Sequence, residues 1–153
     1  MSAPARERRA IATREEAERF LAAFAETMAD LECLLDRETA ELSAGRVRSA
    51  LAEEARKSVL AAGYMQGLQD ARANAVSLAR FAPEQAARLK AAHGGFRAAL
   101  ERNQAVLETA RAVSEGLVKG VADEIAKASR PAGYGHAAAP RGSATPLAYS
   151  GRF

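Results

Sequence analysis

TREEAERFLAAFAETMADLECLLDRETAELSAG, residues 13–45, decides the fold. Leu21, Met28, Leu35 and Leu42 recur every seven residues, and Phe24 and Leu31 form a second row three residues on. Two apolar rows at that spacing lay one stripe along an α-helix, and such a stripe faces a partner helix. Thr13-Arg14-Glu15-Glu16 matches a capping box, in which the Thr hydroxyl accepts a backbone N–H and Glu16 reaches back to the cap, so the helix starts there. Glu38 takes the third place of the second row, which reads as a seam loosening before the helix ends. Ser43-Ala44-Gly45 is the stop, because glycine takes the left-handed cap conformation.

Working outward, residues 1–12 read as a flexible lead. A second helix is expected from about Arg46 to Phe81, with Val47, Leu51, Tyr64, Met65, Leu68 and Leu78 among its inward residues. Gly63 and Gly67 each cost a helix about 1 kcal/mol relative to Ala, so bending is expected there. Ala82-Pro83 marks a boundary, since proline disfavours helical geometry in the residue before it yet suits the first turn of the next helix.

The third helix is expected from Pro83 or Glu84 to about Ser129. Leu89, Phe96, Asn103, Ala110 and Leu117 form one heptad row; Ala92, Ala99, Val106 and Val113 form the adjacent one. Leu100, Leu107, Val118, Val121 and Ile125 widen the stripe, and Gly94-Gly95 is a place for a kink or an interruption. Asn103 within an apolar row either fixes helix register or sits near the surface where the seam ends; the sequence leaves both readings open.

The fold class that follows is all-α: a long antiparallel helical hairpin or three-helix coiled-coil-like bundle over residues 13–129, with an extended C-terminal amphipathic helix and disordered tails. At 1.5 Å per residue the helices are roughly 45, 55 and 65 Å long, so the third outruns its neighbours and offers an apolar face as a partner surface. Gly116 and Gly120, four apart, would admit another helix closely, although that spacing is common by chance. Residues 130–153, RPAGYGHAAAPRGSATPLAYSGRF, are rich in Pro, Gly, Ala and Ser without an amphipathic period and read as a flexible tail. The isolated Tyr134, Leu147, Tyr149 and Phe153 within it suit a short docking motif better than a core.

Composition agrees with helical hairpins: of 153 residues 48% are hydrophobic, 27% charged and only 5% aromatic, with no Trp. The net charge of +3 is carried by the ends. Residues 1–14 hold four arginines against one glutamate and residues 129–153 three arginines and no acid, which leaves −3 for the segment between. A nucleic-acid binder needs its basic groups clustered on one ordered face, and that footprint is missing. No run approaches the roughly 18 apolar residues of a membrane span, and the start lacks the apolar core of a secretory signal, so the cytoplasm is the expected compartment.

The chemistry expected is equally sparse. Cys33 is the single cysteine, on the side of the first helix away from its stripe, with no group nearby to activate it. His93 and His136, the two histidines, have no companion ligands at metal spacing and read as solvated. Ala-rich seams leave little room for a deep cavity, and neither a nucleophile elbow nor a phosphate-cradling loop occurs. The expectation is a binding protein, not an enzyme, with no cofactor and no metal.

The stretch LECLLDRETAELSAGRVRSALAEEARKSVLAAG, residues 31–63, with its Leu-Leu and Glu-Thr before a small turn, resembles the first hairpin of the FlgN family of flagellar type III export chaperones. ERNQAVLETARAVSEGL, residues 101–117, is similar to that family's C-terminal helix, and Tyr134-Gly135 resembles the Tyr followed by Gly beyond it. Gly94-Gly95 and the Gly-His-Ala-Ala after Tyr134 depart from the family pattern. The resemblance implies a cytoplasmic chaperone for hook-associated proteins of the FlgK and FlgL type. It implies that the C-terminal helix captures the client's C-terminal helical segment, which puts client binding on Val106, Leu107, Val113, Leu117, Val118, Val121 and Ile125. It also implies that Tyr134 docks on the export gate component FlhA. Two competing readings stand beside it: a structural coiled-coil protein that self-associates, and a membrane-surface or nucleic-acid binder using the Arg-bearing tails. Without client, a homo-oligomer is compatible with the first two.

Overall fold

The structure, a computed structural model, describes residues 10–130. Among them are five helices and no strand: α1 (Arg14–Ser43), α2 (Val47–Leu51), α3 (Glu54–Ala73), α4 (Ala75–Phe81) and α5 (Pro83–Ala128). The described chain is therefore all-α. The expected lead and tail, apart from residues 10–12 and 130, lie outside the described residues. The chain divides into two units, residues 1–114 and 115–153.

In the first unit, α1 follows its sequence closely. The capping box forms: Thr13 Oγ1 accepts the Glu16 N–H at 3.2 Å, and Glu16 Oε2 accepts the Thr13 N–H at 3.2 Å and the Ala12 N–H at 2.9 Å. These backbone bonds, Ala12's first, hold the Glu16 carboxyl below its ordinary range. At the other end Gly45 takes φ 76°, the Gly45 N–H reaches Leu42 O at 3.0 Å and the Arg46 N–H reaches Glu41 O at 2.8 Å. That pair of bonds satisfies carbonyls the helix would otherwise leave open. Leu21, Met28, Leu35, Leu42, Phe24 and Leu31, both expected rows, are buried.

The second expected helix is three helices. Its first break falls at Ala52 and Glu53, where the Ala52 N–H turns back to Ser49 O at 3.3 Å and Glu53 Oε1 takes Arg37 Nη1 at 2.8 Å. The second falls at Asn74. Its Oδ1 accepts the Ile11 N–H at 3.0 Å, and its Nδ2 donates to Asp70 O at 2.9 Å. An Asn side chain that bonds backbone in this way competes with the helix ladder, so the strand of packing from the N-terminal segment is tied in at the break. Ile11 is accordingly buried with Ala17, Leu21, Leu78 and Ala82. Of the residues expected to face inward, Leu78 is buried and Tyr64 and Leu68 are half-buried, but Val47, Leu51 and Met65 are exposed. Val47 and Leu51 lie in the short α2 before the first break, and Met65 lies in α3 beside Tyr64 and Leu68 but on its outer side.

α3 runs unbroken through Gly63 and Gly67, where bending was expected. Their use is close approach. A Cβ on Gly67 would lie 2.4 Å from Phe24 Cδ2, and one on Gly63 would lie 3.4 Å from Thr27 Cγ2. α1 and α3 thus pack antiparallel with little between them. α5 runs parallel to α1 and stands farther off, meeting it through side chains: Phe96 packs among Met28, Leu31 and Leu35, with Leu60, Tyr64 and Leu100 around them. Gly94 and Gly95 do not interrupt α5; both face open space or, for Gly95, the tip of Glu32.

In the second unit, residues 115–128 of α5 are helical and every residue from 115 to 130 is exposed. The helix closes near the expected stop: the Ser129 N–H and hydroxyl both donate to Ile125 O, at 2.9 and 2.8 Å. No helix among the described residues is long and apolar enough to cross a membrane.

Candidate functional site

Within the first unit two side-chain clusters carry chemistry. Asn103 and Glu38, 2% and 3% exposed, meet at the end of the apolar seam. Asn103 Nδ2 donates to Glu38 Oε2 at 2.8 Å and lies 3.3 Å from Leu35 O and 3.2 Å from Thr39 Oγ1. The other carboxylate oxygen, Glu38 Oε1, takes Lys57 Nζ at 2.9 Å, and Lys57 also pairs with Glu54 at 2.9 Å. Burial works against the Lys57 charge, but hydrogen bonds to Glu38 and Glu54 outweigh it and its pKa lies above the ordinary lysine value. The Asn103 alternatives are thereby resolved: it is a buried register contact. Glu38 does not loosen the seam, as expected from sequence, but closes it with a paired charge. A buried carboxylate is tolerable only with such partners.

The second cluster is aromatic. Tyr64 sits 4.6 Å from Phe96 and 5.8 Å from Phe24, centroid to centroid, and its hydroxyl meets His93 Nε2 at 2.6 Å. His93 is therefore half-buried and bonded, not the solvated residue expected. Burial raises the Tyr64 pKa, with Arg72 and Arg97 opposing. Cys33 is exposed, as its position opposite the stripe predicted. Among the described residues no three His, Cys, Asp or Glu side chains gather as metal ligands do. A surface groove of about 420 Å³ lies among Ile11, Glu16, Arg19, Phe20, Ala23 and Asn74, mainly apolar with Glu16 and Arg19 at its side.

The expected client residues divide between the units. In the first, Val106 and Leu107 are half-buried and Val113 is exposed. In the second, Leu117, Val118, Val121 and Ile125 are all more than half exposed, Leu117 at 66%. Leu117, Val121 and Ile125 are four residues apart and share one face at 100° per residue. Glu115, Lys119, Asp123 and Lys127 repeat with the same spacing two positions earlier, on the opposite face, with alternating sign. That arrangement is amphipathic and electrically balanced: one side can bury itself against an apolar partner, the other stays solvated. Gly116 and Gly120 meet nothing within 4 Å. Tyr134, the expected gate contact, lies outside the described residues.

No protein-family model matches the chain, and no curated relative and no solved structure matches it.

Proposed function

We propose that this chain is a cytoplasmic export chaperone of the FlgN kind. The exposed face of α5 in the second unit, Leu117, Val118, Val121 and Ile125, takes up the C-terminal helical segments of hook-associated flagellar proteins of the FlgK and FlgL type. It keeps them unassembled until they reach the flagellar type III export gate. The observation that carries the reading is the exposure of Leu117, Val121 and Ile125 together on one face of a formed helix. Each such side chain gains about 1.5–3 kcal/mol on full burial, and a contiguous uncovered set of this kind marks a partner surface. An amphipathic client helix fits a single helical face of this width, the mode in which apolar anchors recur every three or four residues. The balanced charges on the opposite face give no single-sign field for phosphate. The reading assigns the chain no catalytic step.

In the same reading Tyr134 contacts the export gate component FlhA and takes no part in holding the client. An aromatic ring alone in a Pro- and Gly-rich stretch gains most from a partner's pocket. Tyr134→Ala should then keep client binding and lose gate binding, and loss of neither would remove the assignment.

The test of the whole reading is co-expression with the C-terminal segments of hook-associated proteins, followed by pull-down and sizing. A stable complex that replaces any self-association supports it. Failure with every segment, together with an unchanging self-associated size, favours a structural coiled-coil protein instead.

A further inference from the structure

The last fully covered side chain of α5 is polar. Along the helix Phe96, Ala99 and Asn103 are buried, Val106, Leu107 and Ala110 are half-buried, and from Arg111 every described residue is exposed. Full burial stops at an amide whose bonds tie three helices, α5 through Asn103, α1 through Glu38 and α3 through Lys57, and beyond it the apolar residues are covered only in part. Pulling Asn103 away would leave the buried Glu38 Oε2 and Leu35 O without their amide donor, with Lys57 still on Glu38 Oε1, and a buried acceptor without a donor is costly. Lifting Val106 and Leu107, already half in water, sacrifices far less burial.

The geometry points to the Asn103–Glu38–Lys57 layer as a clamp: it holds α5 to the body as far as residue 103 and leaves residues 104–114 to open as a local unit, baring Val106 and Leu107. The clamp is a property of the first unit and stands whatever the helix binds; only the use of the opening to admit a client rests on the proposed function. Asn103 is in this sense a positioning residue, which sets where the permanently packed part of α5 stops.

Residue-resolved amide exchange on the full chain, without client, tests it. In the parent chain, amides 104–114 should exchange at least about tenfold faster than amides 97–103. Asn103→Asp keeps the size of the side chain but sets two carboxylates together, so amides 97–103 should speed up by about tenfold while those of α1 and residues 84–92 stay within about twofold. Adding Glu38→Gln removes the repulsion and restores one donor–acceptor pair with the roles exchanged, Lys57 keeping Glu54 and Leu35 O losing its amide donor, and should reverse most of the acceleration. A parent boundary elsewhere than residue 103, no effect of Asn103→Asp, equal acceleration of all amides, or failure of the double variant to recover would each overturn the clamp. In a parallel arm, a FlgK-type C-terminal segment should protect amides 104–125. Its failure to do so counts against the client reading and leaves the clamp untouched.

Discussion

Gly67 of α3 lies against the ring of Phe24 of α1, so closely that a Cβ at position 67 would stand 2.4 Å from Cδ2 and 2.7 Å from Cε2 of that ring. The helix gives up intrinsic stability at this glycine to let a buried phenyl ring sit on its backbone. A Cβ at Gly94 would meet nothing within 4 Å beyond its own helix. The two glycines should therefore respond oppositely to alanine. Gly94→Ala gains roughly 0.5–1 kcal/mol from helix propensity. Gly67→Ala gains the same but must displace Phe24 in a packed seam, for a net loss of about 1–2 kcal/mol. Urea melts of the two variants decide it, and a stabilised Gly67→Ala would show that Phe24 has room to move.

Much of this was legible in the sequence, and the failures share one cause. The rows Leu21–Leu42 and Phe24–Leu31, the capping box at Thr13 and the stop at Gly45 are local signals, and all appear as expected. What escaped depends on partners far along the chain. Glu38 looks like an interruption until Asn103, 65 residues away, is set beside it. His93 looks idle without Tyr64, 29 residues earlier, and Gly67 looks like a weakness without Phe24. The break at Asn74 is visible only through its bond to Ile11, 63 residues before it. Val47 and Leu51, expected inward, are exposed on the five-residue α2, which is flanked by Gly45 and Ala52 and lies outside any long helical period. Of the candidate surface, the apolar spacing from Val113 to Ile125 was legible, whereas the half-burial of Val106 and Leu107 was not.

The Tyr64 hydroxyl makes a short bond to His93 while its ring packs between Phe24 and Phe96. Tyr64→Phe keeps the ring and removes the bond, so it should lower stability by about 0.5–1.5 kcal/mol. In a double-mutant cycle with His93→Ala the two effects should couple instead of adding. Simple additivity would mean that the bond contributes nothing and that packing alone holds the pair.

Glu41 is gripped by Arg46 through two hydrogen bonds of 2.7 Å, and these, with a further bond from Ser49, hold its carboxyl down at about 2 against an ordinary 4.5. Because the folded value lies below the unfolded one, the contribution of this clasp to stability is full above pH 4.5 and is lost as pH falls through about 2. Carboxyl titration followed by NMR should show Glu41 ionised far into acid, and Arg46→Ala should return its midpoint toward 4.5. A midpoint near 4.5 in the parent chain would show that the clasp does not persist in solution.

The central claim is that the exposed face of α5 holds a client helix, and Leu117, 66% exposed, stands within it. Leu117→Asp places a charge where an apolar anchor should be buried, yet disturbs no packed side chain in the free protein. Its affinity for the C-terminal segment of a hook-associated protein, measured by calorimetry beside the parent chain, should fall by roughly ten- to a hundredfold, with helix content and melting temperature unchanged. Undiminished affinity in the folded variant would contradict the account.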